Sequence, residues 1–352
     1  MESQRSKRTG SVFRIGMVAV LALAIVGGSE LYIQWSKGAF RKRVKIAFVT
    51  WTEDSFWEPT ERGANDAARD LGVDLTFIKS KPDEASQTQH IRDVLAGGVD
   101  GLAISPNNPQ SQEAVINEAA SKAVVITFDS DAPNTKRRGF VGTDDYAAGQ
   151  IAADEVRSAI PDGGKVIISV GSIDMSNGRD RRQGLIDNLL DRPFKHGNKA
   201  DPLDADLKGK NYQVVATVID HHDIDNGTKL MTAAIAANPD VKCIVGLFSY
   251  SGPMIVQAID IAGKKDQIKV IGFDETAEEQ ADVLSGSIFS SVLQDQYQCG
   301  YETVRILADE CRGVPWNGPT GPRLTALPVL VLRKDNLQSL RDTHVIRSVD
   351  AK

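Results

Sequence analysis

The sequence predicts an α/β protein made of two doubly wound parts with parallel sheets. Three observations carry that prediction. From residue 44 onward, short apolar runs alternate with amphipathic helical stretches. The alternation yields ten strands, more than one open, twisted sheet commonly holds. A polar break near Thr143-Asp-Asp splits the run into two roughly matched halves. Strands separated by helices form right-handed βαβ units, which is why the sheets should be parallel.

In order, the expected strands are Val44–Trp51, Val73–Ile78, Gly101–Ile104, Ala123–Phe128, Lys165–Val170, Gln213–Ile219, Lys242–Phe248, Ile268–Phe273, Ser287–Leu293 and Leu327–Leu332. Each is a short apolar run, as expected for strands covered on both faces. Between them, Glu58–Leu71 places Ala64, Ala67, Ala68 and Leu71 on one helical face. Further helices are expected over Asp83–Ala96, Gln110–Ala120, Tyr146–Ala159, Asp180–Leu190, Asn226–Ala237, Gly252–Ala262 and Gln296–Cys311. Arg192–Asn211, rich in Pro, Gly, Asp and Lys, looks like a surface insertion. Gly313–Arg323 holds three prolines and suits a crossover to the last strand. The first part is then 44–143 plus 295–325, and the second 144–294 plus 326–340.

The N-terminus has its own character. Arg5, Lys7, Arg8 and Arg14 precede an uncharged run from Ile15 to Ser29 that ends in Gly27, Gly28 and Ser29. This pattern predicts an export signal peptide over residues 1–28. Fifteen helical residues reach about 22 Å, short of the ~30 Å hydrocarbon core. Extension through Leu31–Trp35 would span but must carry Glu30, so a retained membrane anchor is the alternative. Either form places the body outside the cytoplasm, because the basic residues precede the apolar run. Without these 28 residues the chain carries 37 basic and 46 acidic side chains, net −9. Such an acidic body disfavours nucleic acid and anionic lipid as partners. Cys243, Cys299 and Cys311 are expected as buried thiols; the last two are about 18 Å apart along one helix, too far for a disulfide.

In parallel α/β sheets, ligands bind beyond the carboxyl ends of the strands. Polar groups collect there. Asp54 follows the first strand beside Phe56 and Trp57; Asp129 and Ser130 end the strand at 123, and Asp274 ends the strand at 268. Phe248 and Tyr250 follow the strand at 242, Gln294 follows the strand at 287, and Arg179 and Arg181 open the helix after the strand at 165. One strand-tip Asp commonly caps the next helix, and Phe56 and Trp57 could simply pack that helix on the sheet. Three acids, an arginine, a glutamine and aromatic rings at one sheet edge are the groups that hold a polyol, with hydroxyls meeting charge-assisted acceptors and C–H faces meeting rings.

Motifs for chemistry are missing: there is no Gly-x-Gly-x-x-Gly, no Walker A and no Gly-x-Ser-x-Gly. No cofactor is expected. Asp220-His-His-Asp-Ile-Asp-Asn fails the spacing of a calcium loop and fits better as a turn into a helix, with His222 able to face the cleft and metal use by His221 and His222 left open.

With these residues in view, the chain resembles the periplasmic sugar-binding proteins of the ribose/galactose type, soluble receptors of ABC transporters, over about residues 44–334. The likeness rests on Asp54-Ser-Phe-Trp, Val-Ile-Thr-Phe-Asp129, Val141-Gly-Thr-Asp, Asn177-Gly-Arg-Asp-Arg-Arg-Gln-Gly, Asn238-Pro-Asp-Val, Ile271-Gly-Phe-Asp274 and Gln294. The resemblance implies the type I periplasmic fold, two Rossmann-like lobes joined by a three-strand hinge that close over a monosaccharide. It implies Asp54, Phe56, Trp57 and Asp129 as ligand contacts from the first lobe, Arg179, His222, Phe248 and Asp274 from the second, and Gln294 at a hinge. It implies a monomeric periplasmic protein that hands its sugar to a permease and its ATPase, with no cofactor, no metal and no nucleic acid. The ribose-like pattern has Asn where Asp54 stands, Arg where Ser130 stands and Asn where Phe248 stands, so the ligand should differ from ribose. A repressor of related fold would need a helix-turn-helix where the apolar segment lies. A tethered sugar sensor, or an enzyme using Asp54, Asp129 and Asp274 on glycosides, are the other readings.

Overall fold

The structure is a computed structural model, and it describes residues 43–193, 200–314, 316, 323–342 and 346. The chain divides into Met1–Arg43 and Val44–Lys352. The expected export segment lies outside the described residues, as do 194–199 of the expected insertion and most of 313–323. Among the described residues no helix is long and apolar enough to cross a membrane.

Two sheets form. The first takes β1 (Val44–Val49), β2 (Val73–Ile78), β3 (Gly101–Ile104), β4 (Val124–Phe128), β5 (Gly139–Thr143) and β12 (Arg323–Leu327), in the order β12-β5-β4-β3-β1-β2 and parallel throughout. The second takes β6 (Gly164–Val170), β7 (Leu207–Lys208), β8 (Tyr212–Ile219), β9 (Val241–Gly246), β10 (Lys269–Phe273), β11 (Ser290–Gln294) and β13 (Val329–Leu332), in the order β13-β11-β10-β9-β6-β8-β7. Only its edge strands β13 and β7 run antiparallel. The helices are α1 (Glu58–Leu71), α2 (Glu84–Ala96), α3 (Glu113–Ala120), α4 (Asp145–Ala159), α5 (Ser176–Leu189), α6 (Ile224–Ala237), α7 (Ser251–Ile261), α8 (Ala277–Ser285), α9 (Gln296–Cys311) and α10 (Leu337–Asp342). The α/β class, the parallel sheets and the two lobes are those the sequence predicts.

Several elements differ from expectation for identifiable reasons. β5 was not expected, because two glycines and the polar stretch before it hide a strand whose five residues are all buried. The single strand expected over 327–332 is two: Pro328 cannot donate to a ladder, so Leu327 ends β12 in the first sheet while Val329 starts β13 in the second. α8 was not expected either, and α5 begins four residues before the expected helix start. Cys243 and Cys299 are buried thiols, whereas Cys311 is only partly buried.

The chain passes between the sheets three times: after β5, after β11, and at Pro328. The first two passages share one design. Asp144 accepts from the Ala147 backbone N–H and starts α4; Asp295 accepts from the Gln298 N–H and starts α9. Each of these helices then crosses a neighbour at a pair of glycines. A Cβ on Gly63 of α1 would sit 2.0 Å from the Tyr297 carbonyl of α9, and one on Gly149 of α4 would sit 2.1 Å from the Arg181 carbonyl of α5. The close crossings fix the first turns of α9 and α5 against the core, and those turns carry the polar groups described next.

Candidate functional site

The two lobes present matching carboxylates. β4 ends in Phe128-Asp129 and β10 in Phe273-Asp274, and both phenylalanines are fully buried. Both aspartates adopt left-handed backbone, φ 59° and 66°, a conformation uncommon outside glycine. Each aspartate N–H donates to the next strand over, Asp129 to Val141 O at 3.1 Å and Asp274 to Val292 O at 2.8 Å. The turn swings both carboxyl groups off the strand axis into one cleft, where Asp54 joins them from the first lobe.

Their partners come largely from the β11–α9 passage. Gln294 Nε2 donates to Asp274 Oδ1 at 3.0 Å, and Gln296 Nε2 donates to Asp129 Oδ1 at 3.0 Å. Ser105 Oγ donates to Asp129 Oδ2 at 3.2 Å. Burial pushes both carboxyl groups up to about 6, with the Arg181 guanidinium pulling the other way.

Arg181 is the central cation and is 1% exposed. Its Nε donates to Asp145 Oδ1 at 2.8 Å, Nη1 to Leu247 O at 3.0 Å and Nη2 to Gln294 Oε1 at 2.7 Å, and its Cζ lies over the Phe273 ring, 4.5 Å from the centroid. Arg179, the arginine that the resemblance implies, lies elsewhere: it is partly exposed and sits 3.5 Å from Asp180. Because α5 starts at Ser176, Asn177 and Arg181 lie four residues apart on one helix face, and both line the cleft. Knowing the earlier helix start would have identified them.

The aromatic groups also sort by position. Phe56 lines the cleft from a short 3-10 turn over Ser55–Trp57, which Asp54 starts by accepting from the Phe56 N–H at 3.1 Å. Trp57 points inward, 0% exposed, with Nε1 donating to Thr52 Oγ1 at 2.9 Å and its ring edge-on to Phe128. Trp57 is thus core, and Trp51 lines the cleft instead. A tryptophan at the end of an apolar strand gave no signal apart from its place at the tip. Ser130 is fully buried with its hydroxyl 3.2 Å from Ser176 Oγ, a contact between the lobes rather than a cleft group.

Phe248 and Tyr250 line the second-lobe wall. His222 stands at the outer mouth, its ring centroid 4.6 Å from that of Trp51 across the cleft. His221 and His222 are consecutive left-handed residues, φ 56° and 62°, a strained arrangement held by Asp220, whose Oδ1 accepts from His222 N at 2.8 Å and from the Tyr250 hydroxyl at 2.5 Å. Burial lowers the His222 ring to about 4, so it is neutral at pH 7. Gln294 sits behind the cleft and holds Asp274 and Arg181. The inner cavity adjoins a wider outer groove, the two sharing Trp51, Asp54, Phe56, Ser249 and Tyr250. Of the residues expected at the site, the structure brings Asp54, Phe56, Asp129, Phe248 and Asp274 to the inner cavity and His222 to its mouth. Trp57, Ser130 and Arg179 lie outside.

Comparison with known proteins agrees with this fold. The ribose import binding protein of Salmonella typhimurium is 23% identical over 290 residues, 82% of this chain and 92% of that protein. The D-allose-binding periplasmic protein of Escherichia coli is 24% identical, over 82% of this chain and 90% of its own. Among solved structures, an ABC transporter solute-binding protein from Burkholderia graminis in complex with D-arabinose aligns with TM-score 0.75 and 25% identity, covering 85% of this chain and 98% of that one. One from Agrobacterium vitis bound to α-D-tagatopyranose aligns with TM-score 0.77 at 22% identity, over 87% and 100% of the two chains, and shares the fold. The family model for the periplasmic binding protein domain matches residues 46–314, and with the cleft and the first two passages between the lobes contained in that span, this chain belongs to the periplasmic binding protein family.

Proposed function

We propose that this protein captures a monosaccharide between its two lobes outside the cytoplasm and delivers it to the permease of an ABC importer. The observation that carries the reading is the convergence of Asp54 and Asp129 from one lobe with Asp274, Asn177 and Arg181 from the other on a ring-lined cavity. Carboxylates accept from sugar hydroxyls, the guanidinium donates to ring or hydroxyl oxygens, and Phe56 and Phe248 cover apolar C–H faces. The ribose, allose and arabinose names of the relatives support a sugar. The carboxylates need serve only as hydrogen-bond acceptors, so the role requires no catalysis, cofactor or metal. Export by the N-terminal segment, a monomeric state and docking on a permease belong to the same reading.

Calorimetry against pentoses, hexoses and inositols tests it: one of them should bind at micromolar strength or better, and Asp274→Ala should abolish the heat while circular dichroism stays unchanged. A folded protein silent across the whole panel would overturn it.

A further inference from the structure

The inner cleft carries more acidic than basic groups. Asp54, Asp129 and Asp274 all line the inner cavity, and Arg181 is the one cation among its described lining residues. That guanidinium is already committed: three of its five N–H groups are used by Asp145, Leu247 O and Gln294. Asp145 lies 2.8 Å from its Nε, a buried carboxyl that burial pushes up to about 8 against the pull of Arg181. Three buried carboxyl groups, Asp129, Asp145 and Asp274, therefore surround a single positive group, and Asp54 adds a fourth from an exposed position. At the ribose-like second-arginine position stands Ser130, buried and turned to Ser176. Burial makes the carboxyl groups of Asp129 and Asp274 hold protons more tightly than free ones, and the neighbouring acids add to this. A cation placed among them would relieve the imbalance.

The cavity walls fit the same occupant. Trp51, Phe56, Phe248 and Tyr250 present ring faces or edges around the acids, and a cation over such faces gains further attraction when desolvated. Trp51 is 5% exposed and its Nε1 has no hydrogen-bond partner among the described residues. A buried N–H of this kind is costly to leave unmatched, and an oxygen acceptor on the occupant would match it. The occupant thus carries both a positive group and hydroxyl oxygens.

We propose that the cleft selects an amine-bearing polyol, an amino sugar or aminocyclitol in its ammonium form, over the neutral hydroxyl counterpart. This rests on the sugar-capture reading above and narrows its ligand class. The ammonium donates to the carboxylates of Asp129 and Asp274, and the remaining hydroxyls meet Asn177, Arg181 and Trp51.

The test is calorimetry at pH 7 on the intact protein with matched pairs: D-galactosamine against D-galactose, D-glucosamine against D-glucose, and an inosamine against myo-inositol. At least one amine is expected to bind tenfold or more tightly than its hydroxyl partner. Asp129→Asn and Asp274→Asn, which keep size and an acceptor oxygen, should each shrink that ratio tenfold or more. A hydroxyl partner that binds as well as or better than every amine overturns the charge selectivity and leaves sugar capture standing. A folded protein that binds neither member of any pair, nor any pentose, overturns both.

Discussion

The two strand-tip carboxylates occupy equivalent places and have different surroundings. Asp129 in the first lobe is held by a serine hydroxyl and one glutamine. Asp274 in the second lobe is backed by a continuous polar network: Gln294 holds its carboxylate, Arg181 holds Gln294, Asp145 holds Arg181, and Ser291 Oγ donates to the Asp274 carbonyl at 2.8 Å. The first lobe brings rings on a short turn and two lightly supported acids. The second brings a preorganised charge array. In such a division, one half of the clamp defines position and the other adapts to the ligand's face.

The largest effect that would sharpen this contrast lies in the second-lobe network. Asp145→Ala leaves the Arg181 guanidinium buried without its counter-ion, and such losses cost about 3–5 kcal/mol; urea denaturation should show a loss of that size. A drop of under ~1 kcal/mol would mean the array is not what organises the second lobe.

Next comes the charge of each acid. Burial raises Asp129 and Asp274 in the folded state to about 6, above the usual carboxylate value. A raised folded value means their ionisation opposes folding at neutral pH. The stability they retain when protonated is present below about pH 4 and lost as pH rises through about 6. Without ligand, Asp274→Asn and Asp129→Asn should therefore melt above the parent at pH 7.5, by about 1–3 kcal/mol in stability. The advantage should shrink as pH falls through 6 and close near pH 4. His222 contributes in the opposite sense, losing stability as pH falls from about 6.5 towards about 4, but it is common to parent and variant and cancels in the difference. A gap independent of pH would refute the titration of these acids.

The smallest effect separates the two supports. Gln294→Ala removes bonds to both Asp274 and Arg181, whereas Gln296→Ala removes bonds to Asp129 and Thr60. Neutral-donor bonds contribute about 1 kcal/mol each and those to charged groups more, so thermal melts should show Gln294→Ala as the more damaging by about 1 kcal/mol. Equal losses would show the two lobes to be supported alike.

Much of this was legible in the sequence because alternation of apolar strands and amphipathic helices is dictated by burial and needs no long-range information. Gly139-Phe-Val-Gly-Thr escaped because its glycines carry no β signal. The 327–332 run was misread because Pro328 parts two strands whose apolar character is continuous. At the site, the acids were visible since strand tips place them regardless of detail. The choice between Trp51 and Trp57, or between Arg179 and Arg181, depends on rotation about an element. One residue of register decides which side chain faces the cleft, and a helix start four residues early was enough to exchange the arginines.

Gln294, Asp295 and Gln296 span the passage from β11 to α9 with a support for one lobe's acid at each end and a helix cap between. Surface connections usually tolerate added length. This one has none to spare: a single inserted residue would keep the chain connected but shift one glutamine off its carboxylate or move the cap off α9. Evolution can vary the cleft's rings and acids one at a time, while the three-residue spacing behind them should behave as a fixed part, permitting substitutions yet refusing insertions and deletions.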